Sequence, residues 1–120
     1  MALDWKRGAL AEGLACYQCG EFFAAHEHWE SVWLRAEEPE KSFLQALIQM
    51  SSACHHRRRG NLRGAVSLMR KSLRRLELCP PRFGRIDASS LCRQGREWLR
   101  LLEQGDAGGA VTCPQIMIVE

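Results

Sequence analysis

Two stretches of this chain, forty positions apart, share one grammar. Gly20-Glu21-Phe22 leads to Ala25, Trp29 and Trp33, and Gly60-Asn61-Leu62 leads to Ala65, Met69 and Leu73. Each copy opens on a glycine, follows it with an apolar residue, and then sets a small residue where two helices can approach closely. The apolar residues recur at the spacing of one helical face. Such a chain folds as paired helical hairpins. Two copies are too few for an extended solenoid, so the pairs are expected to close into one compact bundle.

The punctuation between periodic segments sets the expected elements. A first helix should run from Asp4 to about Cys19, with Gly20 as its left-handed stop. A second should span Glu21 to about Arg35. Glu37-Glu38-Pro39-Glu40 breaks the pattern and loads negative charge near the start of the third helix, where the dipole favours it. That third helix, about Lys41 to Arg58, is apolar over most of its circumference and reads as the central buried helix. Gly60 and Asn61 turn the chain into a fourth helix, Leu62 to Glu77. Cys79-Pro80-Pro81-Arg82-Phe83-Gly84-Arg85 is a rigid non-helical connector. Asp87 or Ser89 can cap a fifth helix, Ala88 to Glu103, which Gly105 to Gly109 closes. The tail Val111 to Val119 is expected to cover a groove of the helical body rather than to join a sheet. The hairpin grammar resembles that of tetratricopeptide-type repeats, whose period is nearer 34 residues. The expectation is an all-α fold of about five helices, two antiparallel hairpins and a non-helical tail (105–120), in one domain spanning 1–120.

Bulk properties exclude some classes. At 120 residues, 46% apolar and 26% charged, the chain has the composition of a globular protein rather than a disordered one. No apolar run reaches membrane-spanning length, so no membrane partner is expected. The start, Met1 to Lys6, lacks the pattern of an export signal, so the expected location is cytoplasmic and the six cysteines are expected to stay reduced. Cys16-Tyr17-Gln18-Cys19 stands alone as a CxxC pair, and it reads as small buried apolar side chains rather than a zinc or redox site. Net charge is +3, divided into −5 over residues 1–40 (eight acids, three bases) and +8 over residues 41–120 (six acids, fourteen bases). Either the two parts face each other in the fold, or a basic face is left for phosphate.

The chemistry concentrates in two helices. At 100° per residue, Phe22, Ala25, Trp29 and Trp33 form one apolar stripe with His26 inside it and Glu30 at its edge. On the third helix Gln45, Gln49, Ser52 and His56 form a narrow polar stripe. If the helices are antiparallel neighbours, His26, Glu30, Gln45, Gln49 and His56 converge, either as a hydrogen-bond network that fixes helix register or as a polar pocket for a ligand or a reaction. His26 and His28 are two apart and some 200° around the helix, so they do not form a zinc-protease pair, and no metal or other cofactor is expected. Arg57, Arg58, Arg59 and Arg63 head a run of eight bases in nineteen residues that offers a candidate phosphate or nucleic-acid surface.

Phe23-x-Ala25-His26-Glu27-x-x-Glu30-x-x-Trp33, Phe43-Leu44-Gln45-x-Leu47-Ile48-Gln49, His56-x-x-x-Gly60-Asn61-x-x-Gly64-Ala65 and Pro80-Pro81-Arg82 follow one another in an order that resembles domain of unknown function family 309. The resemblance covers about residues 5 to 104. It implies a small all-α protein of the bacterial or archaeal cytosol and no particular activity. His28 and His55 stand where such proteins more often carry apolar or aromatic residues, which gives those two less weight.

The functional expectation is a binding or interaction module, for a small molecule or a protein, with self-association into a homo-oligomer as a further expectation. The alternatives are a hydrolase-like or metal-assisted enzyme at His26, Glu30 and His56, and nucleic-acid contact through Arg57 to Arg75.

Overall fold

The computed structural model describes residues 3–105 and 112–119. Five helices follow in order: α1 (Gly8–Gln18), α2 (Phe22–Trp33), α3 (Glu40–Arg58), α4 (Leu62–Glu77) and α5 (Ala88–Glu103). Between α4 and α5 lies an antiparallel pair of two-residue strands, β1 (Arg82–Phe83) and β2 (Ile86–Asp87). The all-α class and the five helices are those expected, and the bounds of α4 and α5 are the expected ones. Side-chain caps explain why. Asn61 Oδ1 accepts the Gly64 amide (3.0 Å), and Asp87, rather than Ser89, accepts the Ser90 amide (2.9 Å).

Three elements depart from expectation. α1 starts at Gly8, not Asp4, because the Asp4 carboxylate takes the Lys6 amide (3.0 Å) and Gly8 adopts a φ of +63°. Trp5 still reaches the core ahead of the helix, edge-on to Trp29 and Phe43. The connector after α4 is non-helical but holds the small strand pair, whose Phe83 stacks flat on Phe43 (4.3 Å between centroids). The tail does cover the helical body, and it also makes a single antiparallel bridge, Ile118 to Ile86. Asp106 to Val111 lie outside the described residues, and with them part of the expected glycine closure and the start of the tail.

α3 is the central helix. Phe43, Leu44, Leu47, Met50 and Cys54 on it are buried, with α2 on one side and α4 on the other. Each large apolar side chain so buried contributes roughly 1.5–3 kcal/mol of transfer free energy before chain entropy is set against it. Ser72 of α4 donates its hydroxyl proton to the Ala46 carbonyl (2.7 Å), which fixes the sliding register of the α3–α4 hairpin. In the first turn of α3, the Glu38 carboxylate accepts the Ser42 amide (2.9 Å). Its hydrogen bonds with Ser42, and then the charges of Arg75 and Lys41, hold Glu38 below the usual carboxylate range.

The tail is tied to several elements. The buried Tyr17 hydroxyl donates to the Pro114 carbonyl (2.6 Å), and burial pushes that phenol far above its ordinary pKa. Gln94 on α5 exchanges two hydrogen bonds with the Gln115 backbone (3.0 and 2.8 Å). Cys113 forms a disulfide with Cys54 on α3, their Cα atoms 6.1 Å apart. The expectation that all six cysteines are reduced is corrected for this pair, because the tail crosses the buried side of α3. Cys16 and Cys19 remain free, and Cys19 is exposed rather than buried as its helical setting suggested.

Candidate functional site

α2 buries Phe22, Ala25 and Trp29 and leaves His26 at the margin of that stripe, 28% exposed at its side chain beside Glu30 at 51%. The two are joined at 2.8 Å, Nε2 to Oε2. An ionised carboxylate only accepts, so Nε2 carries the proton and donates, and Nδ1 is the ring's remaining nitrogen. His28, two residues on, turns the other way and lies 3.6 Å from Glu12 of α1. The two histidines of His26-Glu27-His28 therefore serve opposite sides of α2, as their spacing required.

Phe23, 53% exposed, links His26 to the end of α3. Its ring meets His26 edge-on at 6.0 Å between centroids and lies 5.5 Å from His55, which in turn is 6.0 Å from His56. Burial lowers the pKa of His55 most, and the charges of Arg59, His56, Arg58 and His26 lower it further. His56 accepts through Nδ1 from the Asn61 amide (3.2 Å), the same side chain whose oxygen caps α4. His55, given less weight on the resemblance, thus stands at the centre of the imidazole group. Arg58 donates to the Gly20 carbonyl and lies over the Phe22 ring (4.7 Å), which sets the last turn of α3 beside the first turn of α2.

The polar stripe of α3 is present and faces outward. Gln45, Gln49, Ser52 and His56 fall within about 60° of one another, on the side away from Met50 and Cys54, and all four are half-buried. They form the ridge of α3 between α2 and α4. Along it the five candidate residues distribute unevenly: His26 pairs with Glu30, and His56 joins the imidazole group through His55. Gln49 lies farther along, where it lines a concavity of about 330 Å³ with Lys71, Arg74, Arg75 and Leu78. Its Oε1 is buried without a hydrogen-bond partner.

The basic residues divide in the same way. Arg58 is a structural clamp, as above. Arg70 pairs with Glu103, Arg96 with Glu77 and Arg100 with Glu97. Arg57, Arg59 and Arg63 make no ion pair among the described residues. No group of three His, Cys, Asp or Glu side chains among the described residues is placed to hold a metal ion. Burial raises the pKa of the Cys79 and Cys92 thiols, which lowers their thiolate fraction rather than activating them. A larger concavity, about 600 Å³, lies between α1 and the end of α2, with Leu10, Val32 and Ala36 on its wall and Asp4, Arg35, Glu37 and Glu40 at its rim. It is built across three separated segments, and no local motif announced it. No described helix is long and apolar enough to cross a membrane.

Residues 10–68 match the model of a family described as a domain of unknown function, DUF309. The match holds the His26, Glu30, Gln45, Gln49 and His56 positions and ends within α4, short of the residue 104 to which the sequence resemblance extended. An uncharacterized protein of Aquifex aeolicus (strain VF5) is 29% identical over 98 residues, which is 81% of this chain and 29% of that protein. The chain thus spans less than a third of the length of that relative.

Proposed function

We propose, for a chain whose residues 10–68 match the DUF309 family, the role of a binding module rather than an enzyme, with its recognition surface on the outer face of α2, α3 and α4. The observation that carries this reading is Phe23, a half-exposed aromatic ring held between His26 and His55. An apolar ring bordered by imidazoles and the Glu30 carboxylate offers a ligand both area to cover and polar groups to orient it. A neighbouring hydroxyl favours binding over nucleophilic chemistry. Ser51, one turn before His55 on α3, gives its proton to the Ile48 carbonyl instead of to a histidine base. The ligand is a polar small molecule or a partner protein, and the protein acts in the cytoplasm.

The test is an NMR titration that follows the ring resonances of His26, His55 and His56 while pooled polar metabolites are added. Joint movement of the His26 and His55 signals, lost in Phe23→Ser, supports the reading. Pools that move only signals far from α2 refute it. The second reading, acid–base catalysis, draws on the 2.8 Å His26–Glu30 contact. New product signals in the same spectra, absent with His26→Ala and Glu30→Gln, would favour it. Self-association through exposed Phe23, Leu34 and Leu62 belongs to the same proposal. Sedimentation that finds only monomer at high concentration excludes it.

A further inference from the structure

α4 carries five bases, Arg63, Arg70, Lys71, Arg74 and Arg75, and one acid, Glu77. Glu77 is engaged by Arg96 from α5, and Arg70 by Glu103, so the pairing leaves an excess of positive charge on the helix. Lys71, Arg74 and Arg75 make no ion pair among the described residues, and these three line one concavity together with Gln49 of α3. Gln49 is the second, independent observation. No hydrogen bond ties its amide to another described residue, and its Oε1 is buried without a partner. An unpaired buried amide oxygen costs on the order of 1–3 kcal/mol, so its persistence calls for a reason. Oε1 is the buried end of this amide, so Nε2, which is not among the buried atoms lacking a partner, is the end that the concavity can reach, and it is a donor. Donors from two helices thus line one concavity, and the acid whose charge Arg75 senses, Glu38, is not among its lining residues.

We propose that Gln49, Lys71, Arg74 and Arg75 form a phosphate-binding site. The guanidinium and ammonium groups supply charge-assisted hydrogen bonds to the phosphate oxygens, and the Gln49 amide supplies a neutral donor from the wall. A divergent basic surface would attract any anion. The same chemistry arises from two sources, a small phosphate monoester or the backbone of a nucleic acid. The site uses none of the His26 group, so it stands or falls separately from the binding face at Phe23.

Calorimetric titration of the whole chain with inorganic phosphate, with AMP and with a ten-nucleotide oligo-dT at low salt tests it. Four proteins are compared: wild type, Gln49→Met, the double variant Lys71→Gln/Arg74→Gln, and Arg93→Gln as a control on α5. Gln49→Met removes an unpaired oxygen from a half-buried position, so it leaves the fold intact or strengthens it, and circular dichroism checks this. The expected result is a loss of roughly tenfold or more in affinity in both site variants and none in Arg93→Gln. Oligo-dT that binds no tighter than AMP identifies a small phosphate ligand. Oligo-dT that binds far tighter, with a steep salt dependence that flattens in the double variant, identifies a nucleic-acid backbone. Either supports the site. Absence of binding by all three probes to the wild type, or equal binding by the wild type and both site variants, overturns it.

Discussion

The Trp29 indole fills the space that a side chain at Gly13 would occupy. A Cβ at position 13 would overlap indole Nε1 and stand 2.6 Å from Cδ1. Trp29 is fully buried, and its Nε1–H donates to the Leu10 carbonyl, one turn before Gly13 on the same helix (3.3 Å). The missing side chain is what lets α1 and α2 approach closely. Gly13→Ala gains about 1 kcal/mol of helix propensity and must displace a rigid ring that has no room to move, so a net loss of about 1–3 kcal/mol is expected. Gly95→Ala on α5 is the contrast. Its Cβ would meet the tip of Leu73 (2.6 Å), a flexible end that can swing aside, so the two terms nearly cancel. Urea unfolding of both variants measures the difference, and equal midpoints would mean that Trp29 relocates freely.

Gly20 and Gly60 close the same turn in the two hairpins, with φ of +82° and +84°. The residue after each donates its amide five residues back, Glu21 to Cys16 and Asn61 to His56, both at 2.8 Å. An alanine at either position is strained by about 1–2 kcal/mol. At position 20 it also meets the Arg58 guanidinium at 3.0 Å, while position 60 is open. Gly20→Ala should therefore destabilise more than Gly60→Ala, as thermal or urea unfolding would show. The reverse order would break the equivalence of the two turns.

That repeat was readable in the sequence because glycine stops, small contact residues and apolar spacing are all local. The ends of α4 and α5 were readable for the same reason, through Asn61 and Asp87. Helical angles were readable as well: His26 and His28 diverge, and Gln45, Gln49, Ser52 and His56 share a ridge. What no single helix encodes is which neighbour its polar ridge meets. Gln49 borders α4 rather than joining His26, and His55 completes the group around Phe23, because tertiary packing decides both. The β1–β2 pair is too short to show an alternating pattern. The Cys54–Cys113 link joins residues 59 apart in sequence, beyond the reach of any local signal.

The tail depends on one phenol. Tyr17 is buried, and its hydroxyl donates to the Pro114 carbonyl, which is itself buried. Tyr17→Phe keeps the ring and its contacts with Phe22 and Trp29 and leaves that carbonyl without its donor. The expected cost is about 1–3 kcal/mol, with faster amide exchange at residues 115–119. Unchanged exchange there would show that the disulfide and Gln94 hold the tail without Tyr17.

His55 should make the protein less stable in acid. Its folded pKa lies below the ordinary 6.5, through burial first and then the electrostatic influence of Arg59, His56, Arg58 and His26. The unfolded chain therefore takes up the proton first as pH falls. The His55 contribution to stability is complete above the ordinary value and is lost as pH drops from there through the lowered folded value. His55→Gln removes that titration. Urea unfolding of wild type and variant at about pH 7.5 and about pH 5.5 isolates the effect, because losses from carboxylate pairs at the lower pH are common to both proteins. Wild type should lose more stability than His55→Gln over that interval. An equal loss in the two proteins would mean that His55 is protonated as readily in the folded chain as in the unfolded one, and that the cations around it do not reach its ring.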